Sequence, residues 1–334
     1  MNILLVRLGA LGDVVHAIPA AAALRAAFPG ARLDWLVDAR HREIVDLVTA
    51  IDGTIALDRP SLEGWTAAVR TLRRTAYDVA IDLQGLLKSA VLARASGAAR
   101  VIGFSIWHLR EKTARPFYSH AAAAEGGHVI EKNLRLLRTL GIDAPEIRFP
   151  LASSSSAALD AFRDRVPAGR PMALINPGAA WPNKRWPSDR FGEVAAFVHE
   201  VGGLTPVVVW GPGEERLAKT AVDASGGTAL LAPPTGISDL VAFARAAALV
   251  VSGDTAPLHI AVAVRTPTVG IFGPTDPVRN GPISPDDQVL SRYGECGCHY
   301  DRRCHRSRWC ITEITVAEVC AAIQRRLAAR SAHG

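Results

Sequence analysis

What the chain lacks narrows it first. Charged residues break every apolar run well before the roughly 18 residues that a bilayer span requires, so no transmembrane helix is expected. The opening run Met1-Asn2-Ile3-Leu4-Leu5-Val6 is cut short by Arg7, then by Gly9, Gly12 and Asp13, and no small-residue cleavage site follows it. It reads as a buried strand rather than a targeting segment, and a cytoplasmic chain is the expectation. There is no RNA-binding aromatic signature, no basic helix with heptads and no zinc-finger spacing, so nothing reads nucleic acid despite a net charge of +6. The acidic partners left are nucleotide phosphates, a phosphorylated glycolipid or an anionic membrane face. With 49% apolar residues spread along 334 positions, disorder is excluded as the main state, and there is length for two ordinary domains.

What is present is a repeated alternation of short buried runs with helical spacing. In the first half strands are expected at 2–7, 32–37, 54–57, 79–82 and 101–103, with helices at 13–28 (kinked early by Pro19), 42–49, 65–77 and 86–95. In the second half they are expected at 172–176, 206–210, 228–231, 248–252 and 268–272, with helices near 188–202, 214–225, 237–246 and 257–264. Such alternation argues for parallel sheets covered by helices, an α/β fold of two lobes with ligand positions at the strands' carboxyl ends. Ser, Ala and isolated charges fill the stretch between the two halves, ending in Pro167, Gly169 and Pro171. This divides the chain into a domain at 1–151, a linker at 152–171 and a domain at 172–315. A final amphipathic helix within 316–334 is expected to pack back on the first lobe.

Three strand-to-helix loops carry the chemistry. In Leu8-Gly9-Ala10-Leu11-Gly12-Asp13 the glycines allow close backbone approach, and Asp13 sits at the positive end of a helix. It is a helix cap, a general base for an acceptor hydroxyl, or both. His16, one turn on, is the competing base, with local packing as its plainer role. In Asn176-Pro177-Gly178-Ala179-Ala180-Trp181-Pro182-Asn183-Lys184 the lysine is placed to neutralise a diphosphate; the plain alternative is a solvated surface lysine. In Ser252-Gly253-Asp254-Thr255-Ala256-Pro257-Leu258-His259 the N–H groups of Thr255 and Ala256 suit phosphate oxygens, and Asp254 suits sugar hydroxyls or a cap. His259 lies one turn inside that helix. Glu214 or Glu215 follows another strand, where a ribose diol is a plausible ligand.

These segments, with Asp82-Leu83-Gln84-Gly85-Leu86-Leu87-Lys88-Ser89, Lys184-Arg185-Trp186-Pro187 and Gly273-Pro274-Thr275-Asp276-Pro277, resemble glycosyltransferase family nine, the heptosyltransferases of lipopolysaccharide core synthesis. The resemblance spans almost the whole chain. It implies a GT-B fold, two Rossmann-like domains facing across a cleft, and inverting transfer from ADP-heptose to a Kdo-containing lipid A acceptor without a catalytic cofactor. It implies Asp13 as base, Gly9 and Gly12 shaping the acceptor side, Lys184 on the diphosphate and Glu214 on the ribose. Asp254, Thr255, Ala256 and His259 become the donor-sugar and phosphate loop. Asp82–Ser89 and Trp107–Tyr118 look most like the branch adding the first heptose. A monomer, peripheral at the inner face of the inner membrane, is expected.

Two positions depart from the pattern. Ala179 and Ala180 stand where relatives often have hydroxyls, and Ala256 where many have glycine. An acidic acceptor suits Lys88, Arg110, Lys112 and Arg115, of which Lys88, Arg110 and Arg115 are the candidate acceptor contacts; a solvated basic face is the alternative for each. Other readings of the whole are a second-heptose or protein (autotransporter) heptosyltransferase, a GT-B sugar-nucleotide epimerase, and a non-catalytic nucleotide-sugar-binding protein. Finally, Cys296, Cys298, Cys304 and Cys310 crowd one short segment. Four thiolates suit structural zinc or iron, but C-x-C followed by two five-residue gaps is no standard ribbon, so reduced thiols are the competing reading.

Overall fold

A computed structural model describes residues 1–58, 61–153, 155–304 and 306–332. The chain forms two compact units, Met1–Ala152 and Ser153–Gly334. The first is built on β1 (Asn2–Val6), β2 (Arg32–Asp38), β3 (Gly53–Leu57), β4 (Val79–Asp82), β5 (Arg100–Phe104) and β6 (His120–Ala122), in the order β3-β2-β1-β4-β5-β6. The second uses β7 (Met172–Asn176), β8 (Thr205–Val208), β9 (Leu230–Leu231), β10 (Ala247–Gly253), β11 (Thr268–Phe272) and β12 (Gln288–Ser291), in the order β12-β11-β10-β7-β8-β9. All the strand pairings are parallel. Read from their own first strands, the two sheets have one topology. Each begins at its centre and reverses winding there, between β1 and β4 in one unit and between β7 and β10 in the other. That reversal parts the flanking loops and opens a ligand crevice at the strands' carboxyl ends.

The central strands are apolar on both faces because helices cover both sides of a parallel sheet. Ile3–Val6 of β1 and all of β7 and β11 are buried. The edge strands β6 and β12 are short and largely unburied, and their weak patterning hid them from the expected element list. The helix expected over 13–28 is two: Leu11–Val15 and Ile18–Ala27. Pro19 falls in the first turn of the second, where its missing N–H costs nothing.

Two expectations about organisation need correction. The supposed linker at 152–171 contains a helix, Ala157–Arg163, in the second unit. Ser156 caps it, its Oγ accepting from the Leu159 N–H at 3.0 Å, and Phe162 packs on Phe243. Its Ser- and Ala-rich composition resembles a linker because it has little apolar surface to bury. The last helix, Val316–Ala332, belongs to the second unit and gives Val319, Ala322 and Ile323 to its core, beside Trp186, Ile311 and Ile314. Arg326 fixes it to Asp287 at 2.8 Å, and Arg292 to Glu318 at 2.6 Å. Among the described residues, no helix is long and apolar enough to cross a membrane.

Candidate active site

In the first unit β1 delivers Arg7 and Leu8 into a turn through Gly9, whose φ of +153° suits glycine, and a Cβ there would press on the His41 ring. Ala10 then starts the helix in extended conformation, and its N–H donates to Asp13 Oδ2 at 3.2 Å. Asp13 thus caps the helix from its third position. Its other oxygen meets the Arg7 guanidinium at 2.9 Å, and the carboxylate remains 34% exposed. Gly12 occupies the first turn of the same helix. Arg7 is itself buried and also donates to the Leu83 carbonyl, while Gln84 Oε1 accepts from the Leu8 N–H at 2.8 Å. The loops after β1 and β4 are therefore tied together at the switch point, with the partly exposed Asp13 carboxylate beside them. His16, the competing base, is buried edge-on against His128 and belongs to the packing.

Asp82, at the end of β4, is fully buried. It accepts from the N–H groups of Gln84 and Gly85, from Ser89 Oγ at 2.8 Å and from the Tyr118 hydroxyl at 2.7 Å. Burial raises its pKa against the lowering effect of these donors, and burial beside Asp82 also raises that of Tyr118. This carboxylate organises the loop that leads into the helix Leu87–Ala95, whose first turn carries Lys88. Leu87 N–H donates to Glu111 Oε2 at 2.8 Å, joining that loop to the one bearing Arg110. Arg115 donates to the Tyr118 carbonyl at 3.0 Å. Lys88, Arg110 and Arg115 therefore belong to one neighbourhood at the carboxyl ends of β4 and β5.

The second unit assembles its donor-loop candidates more tightly. Lys184 closes a 3₁₀ turn, lies 4.8 Å from the Trp181 ring centre and meets Asp254 Oδ2 at 2.6 Å. Asp254 is 3% exposed at its side chain, and its carboxylate also accepts from Thr275 Oγ1 at 2.7 Å and contacts His259 Nε2 at 3.2 Å. Burial pushes its carboxyl up, but the bond with His259 and the charge of Lys184 outweigh this and hold it below the usual carboxylate range. Lys184, Thr275 and His259 all meet this carboxylate, which fixes the ammonium of Lys184. Thr255 occupies the N-cap position of the helix Ala256–Ala263 in an extended conformation, its hydroxyl turned instead to Asn176 Nδ2 at 3.0 Å and Ser252 Oγ at 3.1 Å. The N–H groups of Thr255 and Ala256 thus stand at a helix start with a lysine beside it, a combination that suits an anion. Glu214 lies apart from this network. Its Oε2 accepts from the Gly211 N–H at 3.1 Å, and a side chain at Gly178 would collide with its carboxylate.

Arg7, Tyr118, Asn176, Ser252 and Thr275 belong to these networks without a signal in the sequence that singles them out. Arg7 and Thr275 sit inside the family-like motifs, yet only folding shows which carboxylate each one meets. The cysteine segment packs beside the donor loops, Asn183 donating to the Asp301 carbonyl and Arg302 lying over Trp181. Cys296, Cys298 and Cys310 are buried together with Cys304 against them, and the sulfurs of Cys298 and Cys304 are 3.3 Å apart. Burial, then the Cys296 thiol, pushes Cys310 up to about 12. Among the described residues no group of three or more His, Cys, Asp or Glu is placed to hold a metal ion, so the structural zinc or iron site is unsupported.

With both switch points in view, the comparisons with known proteins agree with the geometry. The family model for glycosyltransferase family 9 (heptosyltransferase) matches residues 65–309. The chain belongs to this family and is a glycosyltransferase. It is 32% identical to lipopolysaccharide heptosyltransferase 1 of Pseudomonas aeruginosa, over 83% of this chain and 80% of that one. To the protein of the same name from Salmonella typhimurium it is 29% identical, over 83% and 90%. The structure of E. coli heptosyltransferase WaaC with ADP superposes with a TM-score of 0.78 at 24% identity, covering 98% of this chain and all of that one. The fold is GT-B, built from two Rossmann-like units.

Proposed function

We propose that this enzyme transfers heptose from ADP-heptose, with inversion, to a Kdo-bearing lipid A-type acceptor, adding the first heptose of the lipopolysaccharide inner core. The relatives named lipopolysaccharide heptosyltransferase 1 support that substrate pair. In this reading the enzyme is a cytoplasmic monomer, peripheral at the inner face of the inner membrane. The first unit takes the acceptor and the second takes the donor. Asp13 accepts the proton of the acceptor hydroxyl as that oxygen bonds to the anomeric carbon. The bond from this carbon to the phosphate oxygen breaks, and its electron pair leaves with ADP. Lys184 and the helix start at Thr255 and Ala256 stabilise the charge on the departing diphosphate, which needs no catalytic cofactor. His259, through Asp254, keeps Lys184 oriented, Glu214 binds the ribose, and Gly9 and Gly12 let the acceptor approach the backbone. Lys88, Arg110 and Arg115 bind acceptor carboxylates or phosphates.

The observation that carries this reading is the Asp13 carboxylate, pinned by Arg7 and the Ala10 N–H yet still open to solvent. The test is ADP release from ADP-heptose with and without a Kdo-lipid A analogue, together with the anomeric configuration of the product. Acceptor-dependent release with an inverted product, lost in Asp13→Ala, is expected. Conversion of donor alone would mean an epimerase, and donor binding without release would mean a non-catalytic binder.

A further inference from the structure

One face of the first unit is left unexplained by the chemistry above. Trp107 is 85% exposed, the most exposed of the large apolar side chains in this unit apart from Leu62, and Ile106, Leu87 and Val91 are exposed as well. Leu87 and Val91 are one helical turn apart on the helix Leu87–Ala95. Ile106 and Trp107 lie in the loop after β5. The two elements meet, since Leu87 N–H donates to Glu111 Oε2 and a Cβ at Gly85 would lie 3.1 Å from the Leu109 side chain. The loop that presents the indole is held, with the Ser105 N–H on the Ala122 carbonyl and Ser105 Oγ 2.8 Å from His108 Nδ1. Beneath it, Leu109 and Ala114 are buried. An aromatic ring kept outside by an ordered turn is a surface feature in its own right.

The charge around it has one sign. Between Leu83 and Tyr118 there are six Lys and Arg and one carboxylate, Glu111, whereas the whole chain has a net charge of +6. Arg110 and Lys112 are exposed in the loop that follows Trp107. Apolar side chains that include Trp, bordered by cations, match the interface of an anionic bilayer: the indole settles at headgroup depth and the cations meet lipid phosphates.

We propose that Trp107 and Ile106, with Leu87 and Val91 behind them and Lys112 at the border, form a docking surface for an anionic phospholipid bilayer. It rests on the glycolipid-acceptor reading for its purpose: a docked first unit holds its acceptor loops at the plane where a lipid-anchored acceptor lies. It is distinct in mechanism, because the bilayer is bound through apolar insertion and bulk lipid charge rather than through the acceptor's sugar.

The test uses the full chain with vesicles of phosphatidylethanolamine and phosphatidylglycerol, and with neither donor nor acceptor present, so that failure of the substrate assignment leaves this measurement intact. The expected result is cosedimentation that declines with salt, is weak on phosphatidylcholine alone, and falls at least about tenfold in Ile106→Ser/Trp107→Ser. Lys112→Glu weakens it independently. Quenching of tryptophan fluorescence by brominated lipid, lost when Trp107 is replaced by Phe, places the indole in the bilayer. Turnover of the double serine variant on a deacylated, water-soluble acceptor stays within about twofold of the parent, since neither residue is assigned a role in catalysis. Absence of vesicle binding, or equal binding by the double variant, overturns the proposal. So does a lipid-free dimer that the double variant abolishes while vesicle binding is unchanged, which would make this face a contact between copies of the chain.

Discussion

The two units share one strand order but put opposite charges at their switch points. In the first, the loop after β1 is short and runs straight into a helix, so the side chain presented is the capping carboxylate of Asp13, 34% exposed. In the second, a longer loop after β7 carries Lys184 back to the carboxyl end of the sheet, and the carboxylate nearby, Asp254, is buried beneath it. Burial separates the two acids. A carboxylate buried under a lysine, a threonine and a histidine is suited to orienting a cation. One held from behind by Arg7 and the Ala10 N–H keeps an open side for a proton.

That contrast can be broken by experiment. Asp13→Asn is expected to lower kcat by about 10²- to 10⁴-fold, the usual contribution of a general base, with the donor KM little changed, as steady-state kinetics would read. A similar loss in donor affinity would erase the division of labour. Asp254→Asn is expected to destabilise the protein by about 3 kcal/mol, since it leaves Lys184 without its buried counter-charge, and to weaken ADP binding too. Urea denaturation and calorimetric titration with ADP check both; an unaltered midpoint would show that the pair is not structural. Lys184→Met should cost about 1.5–3 kcal/mol of ADP affinity, the range for hydrogen bonds to charged groups, with a smaller effect on AMP. Gly178→Ala should cost donor affinity by roughly 1–3 kcal/mol because the methyl displaces Glu214, and adenosine binding isolates that effect.

The smallest expected effect is on the last helix. Arg292, then the Thr315 N–H, hold Glu318 at about 2, below its ordinary 4.5. Because the folded pKa is the lower one, this stabilisation is present above pH 4.5 and lost as the pH falls toward 2. Glu318→Gln is therefore expected to lower stability at neutral pH by no more than about 1 kcal/mol, with the difference from the parent shrinking across that window. A difference independent of pH would point to packing instead of charge.

The sequence by itself determined the alternation of parallel strands and helices and the placing of Asp13, Lys184 and the Asp254 loop at strand ends. These follow from local rules: apolar periodicity within a segment, and glycine or a capping side chain where strand turns into helix. Only the tertiary structure decided which partner each charged group meets. That Lys184 and Thr275 close on Asp254, and that Tyr118 closes on Asp82, are contacts between segments far apart in the chain. They set how much of each group remains open to a ligand, and no spacing rule encodes that. The same reason governs the last helix, whose amphipathic face was legible while its destination was not: an apolar stripe records that something will cover it, and the core around Trp186 and Ile311 decided what.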